Sequence, residues 1–466
     1  MTTIDPSQVP DLPDERVAAL RRRVSEQFAS VRSDLEALVR IPSVSNSSFD
    51  QAHVEESAAA VARLLTDAGM PDVQVLRATR PDGTTGAPAV VARRPAPAGA
   101  PTVLLYAHHD VQPPGEADAW ATPPFEPTQV GDRLHGRGAA DDKAGIVAHL
   151  GALRALGDEL AVGVTVFVEG EEEVGSPTFV DFLHQHREEL AADVIVVADS
   201  SNWKVGVPGL TTSLRGLVDL EVVVEVLSHP VHSGMFGGPV LDAPLLLARL
   251  LSTLHDEQGD VAVAGLVRAA DPAVDYDEAD LRADAGVLDG VRLAGTGPLT
   301  AQLWTRPAIA VIGLDAPRVA TASNTITPRA SAMVSVRLAP GQDPARAMAA
   351  MREHLEANAP FGARVTVLEG EQGRAFQAPA DSAGMQAARW AMGAAWGTPP
   401  VDIGIGGSIP FIADLLDVYP QATILVTGVE DPDSRAHGPN ESVHLGELER
   451  AVLAETLLLE TLAGRG

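Results

Sequence analysis

The chain has 466 residues, 45% of them hydrophobic and 21% charged, with a formal net charge of −29 and no cysteine. That length exceeds one ordinary core and predicts two domains, while the acidic balance argues against nucleic-acid backbones and anionic bilayers as partners. Without Cys there are neither disulfides nor thiolate zinc sites, so any metal must be held by His and carboxylates.

From Asp14 to Arg40, apolar residues recur at helical spacing (Val17, Leu20, Val24, Phe28, Val31, Leu35, Leu38), which predicts an amphipathic opening helix or helix pair. The preceding Met1-Thr-Thr-Ile-Asp-Pro start lacks the basic and apolar blocks of a secretory signal, so a cytoplasmic protein is expected; no segment approaches the roughly 18 apolar residues of a membrane span. A second helix is expected at about Val54–Ala68, then strands near Val73–Leu76 and Ala89–Arg93. Pro101–Ala107 is short, apolar and β-rich and reads as a buried strand. A helix follows at Asp142–Leu156, a strand at Val162–Glu169, a helix at Thr178–Glu189 and a strand at Val194–Ala198. This alternation implies a mainly parallel sheet covered by helices.

Around Thr211 the pattern changes to long alternating segments, Leu217–Leu227 and Ala330–Leu338, separated by helical stretches at Leu241–His255 and Asp343–Asn358. An inserted α+β domain is therefore expected over residues 212–376, splitting a catalytic domain into 1–211 and 377–466. A helix at Ser382–Trp396 and the glycine-rich Gly404–Gly407 complete the reading.

Three polar clusters set hard-cation ligands at three successive expected strand ends: Tyr106-Ala-His-His-Asp-Val-Gln-Pro-Pro114, Gly136-Arg-Gly-Ala-Ala-Asp-Asp-Lys143 and Glu169-Gly-Glu-Glu-Glu-Val-Gly-Ser176. In open α/β sheets the carboxyl ends of strands line the ligand crevice, so polar groups there are placed for chemistry. Alternation along an extended chain puts His108 and Asp110 on one side and His109 on the other. Asp141, just before a helix, would ordinarily be an N-cap, and an acidic run such as Glu171–Glu173 is ordinarily a solvated face. Gly404-Ile-Gly-Gly-Ser-Ile-Pro410 fits no nucleotide fingerprint; a glycine turn presenting backbone N–H groups at Gly407, with Ser408, to a carboxylate fits better.

These clusters, together with Trp120, Pro124-Phe125, Asp199, His232-Ser-Gly, Arg337-Leu-Ala-Pro, Gly-Gly-Ser408-Ile-Pro and His437-Gly-Pro-Asn-Glu441, occur in one order. In that order they resemble the carnosinase-like dipeptidases, within the superfamily that also holds aminoacylases, acetylornithine deacetylases, succinyl-diaminopimelate desuccinylases and carboxypeptidase G. The resemblance runs from about Ala107 to Glu441. It implies a dimetal catalytic domain with an inserted lid and dimerisation domain. His108, Asp141 and Asp199 would hold one ion and Asp141, Glu173 and His437 the other, Asp141 bridging.

On the same resemblance, Glu172 is the general base, Asp110 supports the His108 imidazole, and His232 reaches across a homodimer to stabilise the tetrahedral intermediate. Arg337 and the Gly407–Ser408 turn bind the substrate carboxylate, with Asn324 as a polar substrate contact. Carboxylate-rich sites with imidazole suit two divalent ions, Zn²⁺ first, with Mn²⁺ or Co²⁺ as alternatives. The implied activity is hydrolysis of dipeptides, a small peptide being the partner; the alternative is hydrolysis of N-acyl amino acids. Two departures stand out: Pro230-Val231 replaces the usual Asp-Leu before His232, and no His occurs in Ala380–Gly384.

Overall fold

The computed structural model describes residues 12–407 and 410–464. The chain divides into two compact units, one of Met1–Thr212, Ala378–Ile403 and Asp414–Gly466, the other of Ser213–Gln377 and Gly404–Ala413. The segment 404–413 thus groups with the inserted residues rather than with the returning chain around it. Its own contacts give the reason: Arg215 Nε donates to the Gly406 carbonyl at 3.0 Å, and Gly404 lies so close to Trp304 that a Cβ would meet its side chain at 2.5 Å.

In the first unit the strands run in the order Asp72–Leu76, Ala89–Arg94, Gly163–Glu169, Thr102–His108, Val194–Val197, Thr423–Val426 and Gly209–Leu214. The four from Gly163–Glu169 to Thr423–Val426 are mutually parallel, and antiparallel strands flank them on both sides. Parallel strands are covered on both faces and need apolar residues at nearly every position. Accordingly every residue of Gly163–Glu169 is buried, as is Thr102–His108 after its first residue. Helices Asp14–Val39, Lys143–Leu156, Ala383–Trp396 and Leu445–Leu462 pack together beside this sheet. Helix Phe179–Gln185 stacks Phe182 on Phe167 with centroids 4.9 Å apart.

The second unit is an antiparallel sheet in the order Ala308–Asp315, Arg329–Leu338, Gly216–Glu225 and Arg364–Gly373. Alternate residues Val218, Leu220, Val222 and Val224 pack with Ala332, Val334 and Val336 against helices Ala243–Leu251 and Pro344–Ala357. This is the period-two pattern expected of a sheet with one covered face. Asp242 and Asp343 cap the two helices, accepting from the backbone N–H of Leu245 and Arg346 at 2.9 Å each. Among the described residues no helix is long and apolar enough to cross a membrane.

A candidate two-metal site at the strand ends

His108 closes its strand, and the parallel register sets it beside Glu169, so the loops beyond both strand ends emerge together. Asp199 leaves the next parallel strand on the other side. Between them, the turn Gly136–Lys143 delivers Asp141, with Gly138 at φ 81° packed so closely on Val111 that a side chain would collide at 2.6 Å.

The result is two overlapping groups, His108–Asp141–Asp199 and Asp141–Glu173–His437, each with ligand atoms within 4.8 Å of one another. Asp141 belongs to both. Its Oδ1 lies 3.0 Å from His108 Nε2 and its Oδ2 lies 2.9 Å from His437 Nε2. His437 Nε2 is also 3.2 Å from Glu173 Oε2. The two oxygens of one carboxylate thus face two separate donor sets, as a bridge between cations requires. Hard oxygens with two imidazoles suit a divalent metal.

The supports explain how so many like charges are held together. Asp110 accepts from the backbone N–H of Glu172 at 3.2 Å and of Glu173 at 3.0 Å, fixing the loop that carries both glutamates. The acceptor closest to His108 Nδ1 is the Asp110 carbonyl at 3.1 Å, with the carboxylate at 3.5 Å. Asp110 therefore orients His108 chiefly through its backbone and spends its carboxylate on the neighbouring loop. Gln112 grips Glu173, donating from its backbone N–H at 3.0 Å and its side chain at 2.8 Å.

Glu441 accepts from the backbone N–H groups of Gly138, Ala140 and Asp141 and from Arg137, so it shapes the turn that presents Asp141. Sequence reading assigned Gln112 and Glu441 no role, although both lie inside the quoted motifs. Their function depends on which backbone groups face them, which no local pattern encodes. His109 points away into the core, where its Nε2 meets the Pro88 carbonyl at 2.8 Å.

The charges of the site residues shift one another strongly. Burial works against a charged His108, yet Asp110 and Asp141 hold it well above the usual imidazole range. Hydrogen bonds to Asp141 and Glu173 push His437 up to about 11. Burial, moderated by His108 and reinforced by Asp141 and Glu173, brings Asp199 to about 7. Asp141 is buried too, but the two imidazoles outweigh burial and hold it well below the ordinary carboxylate range. Glu172 is pushed up to about 9 by burial, opposed by His108 and reinforced by Asp199 and Glu173. Nearby positive charge would draw Glu172 back down.

In the second unit, His232 is exposed and caps the short helix Ser233–Phe236, its Nδ1 accepting from Gly234 N–H at 3.0 Å. That bond leaves the proton on Nε2, which is then a donor. Asn324 lies beside it, its carbonyl accepting from Ser233 N–H at 2.9 Å. Arg337 stands opposite Leu217 in the sheet. Its charge helps depress that of nearby Arg215, which burial above all lowers to about 10. Gly407 is partly buried, and Ser408 lies outside the described residues.

The chain matches the model of peptidase family M20/M25/M40 over residues 104–461. It is 37% identical over 372 residues to a cysteinylglycine-S-conjugate dipeptidase of Corynebacterium striatum, covering 78% of this chain and 81% of that one. It is 29% identical to a Beta-Ala-His dipeptidase of Rattus norvegicus, covering 74% and 73% of the two chains. Among solved structures it resembles di-peptidase Dug1p from Saccharomyces cerevisiae, with a TM-score of 0.75 and 21% identity over 96% of this chain and 98% of that one. Human carnosine dipeptidase 1 gives 0.74 and 24% over 96% and 98%. The last two likenesses establish the fold.

Proposed function

The chain belongs to peptidase family M20/M25/M40, and on that premise we propose that it is a two-metal dipeptidase hydrolysing the peptide bond of unblocked dipeptides. The observation that carries the chemistry is Asp141, whose two oxygens serve two donor sets beside a carboxylate, Glu172, that belongs to neither. His108, Asp141 and Asp199 would hold one divalent ion and Asp141, Glu173 and His437 the other, Zn²⁺ first, with Mn²⁺ or Co²⁺ as alternatives. Such ions supply Lewis acidity toward the scissile carbonyl oxygen and acidify a water at neutral pH.

The chain's own residues do the rest. Glu172 takes the proton of the attacking water and passes it to the departing amine, so the leaving group departs neutral. Asp110 keeps Glu172 in reach by holding its backbone N–H. His232 offers an Nε2–H to the developing oxyanion. Arg337, with the Gly407–Ser408 turn, takes the substrate carboxylate, for which a planar guanidinium is suited, and Asn324 adds a polar contact. As part of the same proposal the protein is a homodimer.

The support for dipeptides over N-acyl amino acids is that the relatives reported above carry dipeptidase names. The test is a panel of dipeptides and N-acyl amino acids assayed with defined metals. Unblocked dipeptides should give the higher kcat/KM; an N-acyl amino acid exceeding every dipeptide would overturn the reading.

A further inference from the structure

Of the five candidate ligands His437 is the exposed one. Its side chain is 59% accessible, whereas that of His108 is 0% accessible. His108 is also oriented from behind, its Nδ1 lying 3.1 Å from the Asp110 carbonyl. A ligating imidazole ordinarily takes its orientation from such a bond on the far ring nitrogen. Among the described residues Nδ1 of His437 has no such partner, so its ring direction comes from the backbone that carries it. That backbone is unusual: His437 is at φ 62°, between Arg435 at 55° and Asn440 at 63°. A residue with a side chain holds that conformation only where its surroundings over-determine it.

Arg137 supplies those surroundings. It is 1% exposed and leaves the same turn that delivers Asp141. Its Nη2 donates to the carbonyl of His437 at 3.0 Å and to that of Gly438 at 3.2 Å, and its Nη1 donates to Glu441 at 2.6 Å. The guanidinium carbon lies 5.5 Å from the centroid of the Trp120 ring, and Trp120 is itself fixed by donating to the Pro114 carbonyl at 2.8 Å. One planar fork therefore grips the bend at His437 and the return of the loop at Glu441 together. The base of the loop is held separately, by Arg133 on Asp431 at 2.9 Å and on Ser442 at 2.8 Å. The other two members of this donor group have their own supports, Glu173 from Gln112 and the backbone of Asp141 from Glu441.

We propose that Arg137 is the positioning residue of the second ion: it aims His437 through two consecutive carbonyls, and so sets the affinity of the Asp141–Glu173–His437 group while the His108–Asp141–Asp199 group stands without it. The inference rests on the two-metal reading and names what governs one of its two sites. An arginine is required because one side chain must meet a carboxylate and two carbonyls at once. A lysine ammonium could still neutralise Glu441, but a point charge on a flexible stem does not hold the two carbonyls in a fixed geometry as well.

The test measures Zn²⁺ binding to the metal-free protein by competition with a chelator of known affinity, for the wild type, Arg137→Lys, His437→Ala and the double variant. The wild type should take up two ions. Arg137→Lys should weaken one of them about ten- to hundredfold, the usual cost of removing a group that orients a ligand, and leave the other at its wild-type affinity. His437→Ala should weaken one ion at least as much. Adding Arg137→Lys to it should cost nothing further, since two changes that act through one group do not add. Unchanged binding of both ions to Arg137→Lys, equal weakening of both, or additive losses in the double variant would each overturn the proposal. Should Arg137→Lys not fold, Trp120→Leu removes the ring beneath the guanidinium and spares its hydrogen bonds. That variant should weaken one ion by a smaller factor, and two unaltered affinities would overturn the proposal. A wild type that saturates with a single ion would instead overturn the two-metal reading, so the two failures are distinguishable.

Discussion

Glu172 and Glu173 are adjacent, share a one-turn helix and have both backbone N–H groups bound by Asp110, yet their side chains have different surroundings. Glu173 lies 3.2 Å from His437 and is gripped by Gln112, whereas Glu172 falls outside both ligand groups. Glu172→Gln should therefore cut turnover by about 10²-fold or more while keeping metal. Glu173→Gln should lose metal as well, and elemental analysis of both variants beside steady-state rates checks the division. Near-normal turnover of Glu172→Gln would reverse the assignment. The residue types at this site were legible in the sequence because hard-cation ligands cluster in three short motifs, expected at three successive strand ends, although Asp141 is carried by a turn just before helix Lys143–Leu156. The bridge expected of Asp141 was legible only through the family resemblance, since by local pattern an aspartate before a helix reads equally well as a cap; its two short contacts to His108 and His437 fit the bridge.

At the scale of elements, apolar runs and alternation located the parallel strands and the Gly216–Glu225 and Arg329–Leu338 pair, because burial on two faces or one leaves a distinct period. They gave no sign of helix Leu445–Leu462, which buries Glu447, Glu455, Thr456 and Glu460 along with its leucines, so its polar residues do not mark a solvent face. One of them explains itself in the structure. Glu455 accepts from His149 Nδ1 at 2.8 Å, while His149 Nε2 reaches the Tyr106 carbonyl at 3.1 Å, tying two helices to the strand that ends in His108. Burial opposes a charge on His149, but Glu455 outweighs it and raises its pKa above 6.5. A group whose folded pKa is raised contributes stability fully present below its unfolded value and lost as pH climbs through the folded one. The Tm advantage of the wild type over His149→Gln should therefore be largest below about pH 6.5, the ordinary imidazole value, and shrink as the pH rises above it, at fixed metal content. A gap that stays flat or widens would show that the pair acts through packing alone.

The whole molecule carries a net charge of −29, and a concentrated part of it converges where Asp141, Glu173 and Asp199 meet. Loading with metal should give close to two divalent ions per chain and release protons at neutral pH, because His437 and Glu172 hold theirs up to about 11 and about 9. Elemental analysis with calorimetry in buffers of different ionisation enthalpy measures both quantities. One ion at saturation with full activity would remove the bridge. His232 is exposed, with its Nε2–H available, and it stands in the antiparallel unit that carries none of the candidate metal ligands. If one chain's His232 serves its partner's metal centre, His232→Ala and Glu172→Gln chains are inactive for different reasons and complement each other. A hybrid dimer would contain one centre with both an intact Glu172 and an intact His232. Mixing the two inactive variants under conditions of verified subunit exchange should restore activity, approaching one working site per hybrid dimer. The recovered rate should rise with the fraction of hybrids measured by native mass spectrometry. No recovery despite demonstrated exchange would place His232 in the service of its own chain, and the homodimer would then be unnecessary for catalysis.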